Sequence, residues 1–336
     1  MKRNTLFVFL LLLSACKYKH VDKHIDNESQ KLKSYKIAFG SCSHQDQPQP
    51  LWDEVVSESA DIWIWLGDNI YGDSENMDTL RAKYLRQKLN PEYQVLMKQT
   101  KIIGTWDDHD FGENNAGKNY PAKEASQQEL LDFLDVPMDD ERRRRAGVYT
   151  SYDLGDSAFQ IKILLLDTRY FRDDLKMLND SIVADSVGTI LGDAQWVWLE
   201  SVLAQSTADV HLFASGIQFL PEEHIYEKWA NFPKDREKLL QLIHQYQINR
   251  PIVLSGDRHI GEISRLDYQG QLVYDLTSSS LTHGWSEHRK EPNKHRIGNI
   301  VYDMNYGVLE ISSDGIISGY LKSHDQSILE KTVLTF

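Results

Sequence analysis

Apolar residues along this chain gather in short runs, and most of the runs stop at a polar cluster. Tyr35-Lys36-Ile37-Ala38-Phe39 predicts a strand that ends at Gly40-Ser41-Cys42-Ser43. Asp61-Ile62-Trp63-Ile64-Trp65-Leu66 is apolar over the length of a strand covered on both faces, and it ends at Gly67-Asp68-Asn69. Lys101–Thr105 ends at Trp106-Asp107-Asp108-His109-Asp110, and Pro251–Ser255 ends at Gly256-Asp257-Arg258-His259. Further strands are predicted near 147–154, 158–167 and 210–215. Helical patterns fall at 50–59, within 78–99, and at 122–135, 193–204 and 234–246. Short runs at 262–267, 271–276, 306–311 and 316–322 predict antiparallel strands joined by turns. Nothing repeats, and no linker divides residues 35–325.

The N-terminus reads differently. Lys2 and Arg3 precede the apolar run Leu6–Leu13, which is too short for a mature membrane span and fits the core of a signal peptide. Leu13-Ser14-Ala15-Cys16 resembles a bacterial lipobox, so residues 1–15 are expected to be a lipoprotein signal peptide and Cys16 the lipidated residue. Polar residues 16–34 then form a tether, and 35–336 form the folded domain. Lys17 and Lys19 after the cysteine point to a periplasm-facing position in the bacterial envelope.

Composition narrows the function classes. The 336 residues are 41% hydrophobic and 26% charged, which excludes collagen, disulfide miniproteins, disordered chains and polytopic membrane proteins. A net charge of −13 argues against a chain that holds nucleic acid through its overall field. There are two cysteines, so lipidation of Cys16 leaves Cys42 without a disulfide partner. Such a thiol is either a buried small hydrophobe or a metal-bound thiolate.

In open α/β sheets the site lies beyond the carboxyl ends of the strands. Four strand ends here carry Cys42, Asp68, Asp107-Asp108-His109 and Asp257-x-His259. Brought into one pocket, their carboxylates repel unless cations hold them. Oxygen donors suit Ca²⁺, Mg²⁺ or Mn²⁺, whereas thiolate and imidazole suit iron or zinc, so a mixed cluster is expected. Paired cations stabilise the attacking and leaving oxygens of a phosphoryl displacement, which points to phosphate ester hydrolysis. The chain has no Walker loop, no GxSxG elbow and no GxGxxG after a strand.

The stretches FGSC (39–42), LGDNIYGD (66–73), TWDDHDFGENNAGKNYP (105–121), LLDTRYFRDDL (165–175), LGDAQWVWLE (191–200), LSGDRHIGEI (254–263), LTSSSLTHGW (276–285) and NYG (305–307) resemble, in order, those of the PhoD-like metallophosphatases, the alkaline phosphatase D family. The resemblance implies an α/β fold, a four-layer α/β/β/α sandwich of two mixed sheets flanked by helices. It also implies hydrolysis of phosphomonoesters or phosphodiesters with Ca²⁺ and a thiolate-bound Fe³⁺. Carried over residue by residue, it makes Cys42, Asp68, Tyr71 and His259 ligands on the iron side, with Asp68 bridging. Asp108, Asn114 and Asp257 would hold the harder ion. His109 would be the acid for the leaving oxygen or an orienter of phosphate, and Arg169 a charge clamp on the phosphate. Asp107, Asp110 and Asp73 fit the motifs equally well as structural or orienting groups.

Other residues take plainer readings. Arg142–Arg145 is expected to be a solvated face. His20, His211, His224 and His244 are expected to be surface or core histidines, and Trp196 and Trp198 core packing. His283 stays open as a pocket wall. A phospholipase or nucleotide-type diesterase would use the same metal core, and a non-catalytic envelope lipoprotein binding glycans or a partner is the alternative outside enzymes.

Overall fold

The computed structural model describes residues 1, 32–285 and 291–336, so Cys16 and the expected signal peptide lie outside the described residues. Lys33–Phe336 forms one compact unit. Strands β1 (Ser34–Gly40), β2 (Ile62–Leu66) and β3 (Lys101–Thr105) run parallel and start a first sheet. The chain then builds a second sheet. Its strands are β4 (Thr150–Asp156) and β5 (Phe159–Leu165), then, past a small hairpin of β6 (Lys176–Leu178) and β7 (Ser181–Val183), β8 (Val210–Ser215), β9 (Pro251–Ser255), β10 (Gly261–Tyr268), β11 (Gln271–Ser278) and β12 (Arg296–Val301). It returns to the first sheet with β13 (Tyr306–Ser312), β14 (Ile317–Lys322) and β15 (Ile328–Leu334). The spatial orders are β15-β14-β13-β1-β2-β3 and β12-β10-β11-β9-β8-β5-β4.

Alternation along the strands explains the layering. Ile37, Phe39, Ile62, Ile64 and Leu66 of the first sheet pack against Ile161, Ile163, Leu212, Ile252 and Leu254 of the second, giving a dry inner core. The opposite face of the first sheet presents Ala38, Trp63 and Trp65 to a helical layer. That layer consists of α1 (Trp52–Ser57), α2 (Met77–Lys88), α3 (Pro91–Gln99), the short α4 (Asp108–Phe111) and α5 (Lys123–Phe133). Leu164, Phe213 and Val253 of the second sheet face α6 (Gly192–Gln205) and α7 (Pro233–Gln245). Both faces of the central strands are therefore covered, as their continuous apolar runs require. The four-layer α/β/β/α arrangement is the expected one.

Two details depart from the sequence pattern. The stretch 78–99 resolves into α2 and α3 because Asn90 caps Tyr93 and Pro91 occupies the first turn of α3. Arg142 and Arg143 are not a solvated face. Arg142 is bound to Asp140 and Tyr152, and Arg143 to Asp132, so the run closes the end of α5 onto β4. His211 is a core histidine held by Ser206 and the carbonyl of Asn249, and Trp196 packs in the core.

Candidate metal centre

The two sheets approach each other at the carboxyl ends of their parallel strands. Thr105 donates to the carbonyl of Leu166 and Ser41 to that of Ser278, across the two sheets. A Cβ on Gly216 would stand 2.3 Å from an oxygen of Asp107, and one on Gly256 2.6 Å from the carbonyl of Leu66. Only glycine permits this approach.

Each strand turns sharply where it ends. Cys42, Asp68, Asp257 and His259 all have left-handed backbones, with φ of 58°, 48°, 71° and 54°. Such conformations are uncommon for residues with a side chain and persist where the surroundings impose them. Asp110 supplies part of that imposition: its carboxyl accepts from the amides of Asp107, Asp68 and Asn69 and from the side chain of Asn69. Asp110 is thus a structural brace of the turns that present Asp68 and Asp108.

The side chains converge. Donor atoms of Cys42, Asp68 and His259 lie within 4.8 Å of one another, as do those of Asp68, Asp108 and His109, and those of Asp107, Asp108 and Asp257. Asp68 and Asp108 are each shared by two groups, so the groups form one continuous cluster. Cys42 Sγ stands 3.5 Å from Asp68 Oδ2. The Tyr71 hydroxyl lies 3.0 Å from His259 Nε2 and 3.2 Å from His283 Nε2. Asn114 lines the adjoining cavity from an exposed position, while the next residue along, Asn115, gives its backbone N–H to Asp108 at 2.7 Å. His109 also lines the cavity, with Nδ1 held 2.7 Å from Asp73. Asp73 is therefore an orienting partner.

Arg169 is placed differently from the expected phosphate clamp. Its side chain is 0% exposed and lies beneath the cluster, with Nε on Asp107 at 2.7 Å and Nη1 on Glu227 at 2.8 Å. Arg172 joins from the other side, 3.0 Å from Glu227, and also holds the carbonyls of Asn115 and Ala116. The guanidinium of Arg169 compensates charge under the site and is not among the cavity's lining residues, although its Nη2, 4.0 Å from Asp108 Oδ2, has no hydrogen-bond partner among the described residues. Glu227 and Arg172 escaped the sequence reading. Arg172 stands three residues after Arg169 in the LLDTRYFRDDL stretch, a signal that was available, whereas Glu227 lies in no motif. Arg258 also lines the cavity, paired with Glu291 at 2.6 Å.

Electrostatics follow from burial. Desolvation, with the Asp68 and Asp257 carboxyls beside it, pushes the Cys42 thiol up. Desolvation and the neighbouring carboxyls hold Asp68 and Asp257 well above the usual carboxylate range. Asp107 is pushed up to about 7, burial outweighing Arg169, and Asp110 to about 8. Asp108 alone among these falls, because Arg169 and His109 more than offset its burial. Burial and nearby cations keep His259 neutral, at about 3. Burial opposes a proton on His109, but Asp73, Asp68 and Asp108 raise it to about 10.

These residues fit a metal cluster. Carboxyls are gathered where their ordinary charge cannot be sustained without added positive charge, and Asp107 Oδ2 is buried with no hydrogen-bond donor among the described residues. A thiol, a phenol and a neutral imidazole stand at one end and carboxylates at the other, matching softer and harder ions respectively.

Two mixed sheets sandwiched between helices, with this donor cluster at the carboxyl ends, define a metallophosphatase-like fold. Residues 37–316 match the family model described as PhoD-like phosphatase, and the chain belongs to that family. It is 24% identical to alkaline phosphatase D of Bacillus subtilis (strain 168), over 73% of this chain and 48% of that protein, so it spans about half the length of the relative. A solved structure of PhoD superposes with a TM-score of 0.73 at 19% identity, over 90% of this chain and 68% of that one. The purple acid phosphatase PPD1 from yellow lupin (Lupinus luteus) seeds gives 0.61 at 13% identity, over 90% and 53%.

The electrostatics set a pH dependence for the metal-depleted protein. Asp107 and Asp110 keep protons in the native state that the unfolded chain, with values near 3.8, releases. Their contribution to stability is therefore complete below about pH 4 and disappears as the pH rises through 7 to 8. Thermal melts in chelator should show Tm falling from pH 7 to pH 9, above the range in which the buried neutral His259 and His224 act in the opposite sense, and divalent cations should flatten the slope; a Tm rising over that window would refute it. The place of Arg169 sets a second expectation. Arg169→Met leaves Asp107 and Glu227 buried without their partner and should cost about 3–5 kcal/mol in denaturant unfolding. A variant with wild-type stability would return Arg169 to the substrate side.

Proposed function

We propose that this chain is a metal-dependent phosphoester hydrolase. The observation that carries the reading is the sharing of Asp68 between a thiol-imidazole group and a carboxylate-imidazole group, because one carboxylate facing two adjacent groups of unlike donors could serve two cations held there. The family match and the name of the Bacillus subtilis relative support it. We assign Fe³⁺ to Cys42, Tyr71, His259 and Asp68, and Ca²⁺ to Asp108, Asn114, Asp257 and Asp68, with Mn²⁺, Mg²⁺ or Zn²⁺ as the competing occupants. When bound, such cations neutralise phosphoryl charge and acidify water.

The reaction balances simply: a water oxygen bonds to phosphorus, the bond from phosphorus to the ester oxygen breaks, and the departing alcohol takes one proton. His109 is the group placed to give that proton. Asp73 fixes its Nδ1, so Nε2 remains to serve the cavity. Arg169 holds Asp107 in register from below, and Arg172 steadies the 115–116 backbone beside Asp108. His283 Nε2 lies 3.2 Å from the Tyr71 hydroxyl and helps to hold that side chain in place. Membrane attachment belongs to the same proposal: the apolar run Leu6–Leu13 before Ser14-Ala15-Cys16 supports lipidation at Cys16 and a periplasm-facing, lipid-anchored enzyme. No helix among the described residues is long and apolar enough to cross a membrane.

The test couples elemental analysis to turnover. Asp68→Asn should lose metal and activity together, since both groups share that carboxylate. His109→Ala should retain metal and lose about 100-fold or more in kcat on alkyl leaving groups, with a smaller loss on p-nitrophenyl esters, whose leaving group needs no proton. Wild-type protein without bound metal, or a fully active Asp68→Asn variant, would sink the reading. Loss of metal from His109→Ala would make His109 a ligand. Separately, Cys16→Ser should move the protein from washed membranes to the soluble fraction; retention there would defeat the anchor.

A further inference from the structure

The cavity beside the cluster, about 730 Å³, has two chemically different halves. Its floor is the polar cluster. Its lining also includes Leu175, Met177 and Ile182 from the β6–β7 segment, and Ile225, Tyr226 and Trp285 from two other segments. Met177 belongs to the β6–β7 hairpin and is 56% exposed, and Ile225 is 71% exposed. Exposed aliphatic side chains directed at a polar site need a reason.

Ile225 is also held rigidly. Lys228 Nζ, buried, donates to the carbonyls of His224 at 2.6 Å and Tyr226 at 3.0 Å, the residues on either side of Ile225. Glu227 next to them is locked to Arg169 and Arg172. A buried lysine spent on two carbonyls presents one exposed isoleucine at a fixed place. Among the described lining residues, Glu113, Asp174 and Asp180 are acidic, Arg258 is paired with Glu291, and His109 is paired with Asp73.

Resting on the phosphoesterase reading, we infer that the ester accepted here carries an alkyl chain or aryl ring without a further anionic group, and that Met177, Ile182, Ile225, Tyr226 and Trp285 seat it. An apolar group gains from burial against this wall. A second phosphate or carboxylate would meet the rim carboxylates and find Arg258 and His109, the cations among the described lining residues, already paired.

The test uses the full chain with its metals and a series of p-nitrophenyl alkyl phosphates from methyl to hexyl. kcat/KM should rise about two- to fourfold per methylene, the gain expected for a buried CH₂, reaching at least about 30-fold at hexyl. A chain of equal length tipped with a carboxylate should fall below the methyl ester. The hexyl-to-methyl ratio, read within each variant, should drop about tenfold in Ile225→Asn combined with Met177→Gln and persist in Ile225→Leu. A flat series in the wild type, or an unchanged ratio in the double variant, overturns the wall and leaves the hydrolase reading standing. No turnover of any ester by metal-loaded protein overturns both.

Discussion

The structure depends on the repulsion among carboxyl groups packed where its two sheets meet. Asp68, Asp107, Asp108 and Asp110 are buried, and Asp257 half-buried, within a few residues of strand ends. At such depth like charges cannot coexist without protons or counter-charge. Three devices answer the repulsion. Asp110 is spent on backbone amides and held largely protonated near neutrality, so it braces without adding much charge. Arg169 and Arg172 neutralise the floor, with Glu227 shared between them. The remainder, at the open side, is left for cations, and this is why the cluster is a site rather than a core network.

The layered fold makes the concentration possible. Parallel β1, β2, β3, β8 and β9 all point their carboxyl ends the same way, and the inner core of isoleucine and leucine fixes the sheets at one spacing. Glycines at 216 and 256 then let the sheets touch at the edge of that core. Left-handed turns at Cys42, Asp68, Asp257 and His259 cost about 1–3 kcal/mol each, which the covered strands behind them sustain. Preorganisation is the return: the donors are within reach of one another with only modest rearrangement.

Much of this was legible in the chain. A strand buried on both faces writes itself as an unbroken apolar run, so β2 and β9 stood out, and the polar clusters after β1, β2, β3 and β9 marked Cys42, Asp68, Asp108 and Asp257. The edge strands β12 and β15 did not, because half-exposed segments such as RIGNIV and ILEKTVL mix polar and apolar residues without a clear period. Depth was the other blind spot. The motif around Arg169 places it after β5 but does not say whether its guanidinium faces the cavity or the floor. That is decided by Asp107 and Glu227, each about sixty residues away along the chain and on opposite sides of it. The same holds for Arg142 and Arg143, whose burial depends on the fit of α5 against β4.

Glu227 links the two halves of the cavity. Its carboxylate holds Arg169, which holds Asp107 at the cluster, while the lysine beside it fixes the backbone that carries Ile225 and Tyr226. The proposed wall for the ester group and the donor cluster at the floor are therefore tied through one four-residue stretch of chain. A shift of that stretch large enough to reshape the wall must also disturb the buried ion pairs, and breaking those is costly because each leaves a charge in the interior. The backbone that carries Ile225 is thus braced beside the buried ion pairs, although it is built from loop residues. Specificity at that place then rests on side-chain identity at 225 and 226 rather than on loop motion. The β6–β7 hairpin has no such tie to the buried ion pairs, so length and composition of the opposite wall are the features of this architecture freest to vary without cost to the cluster.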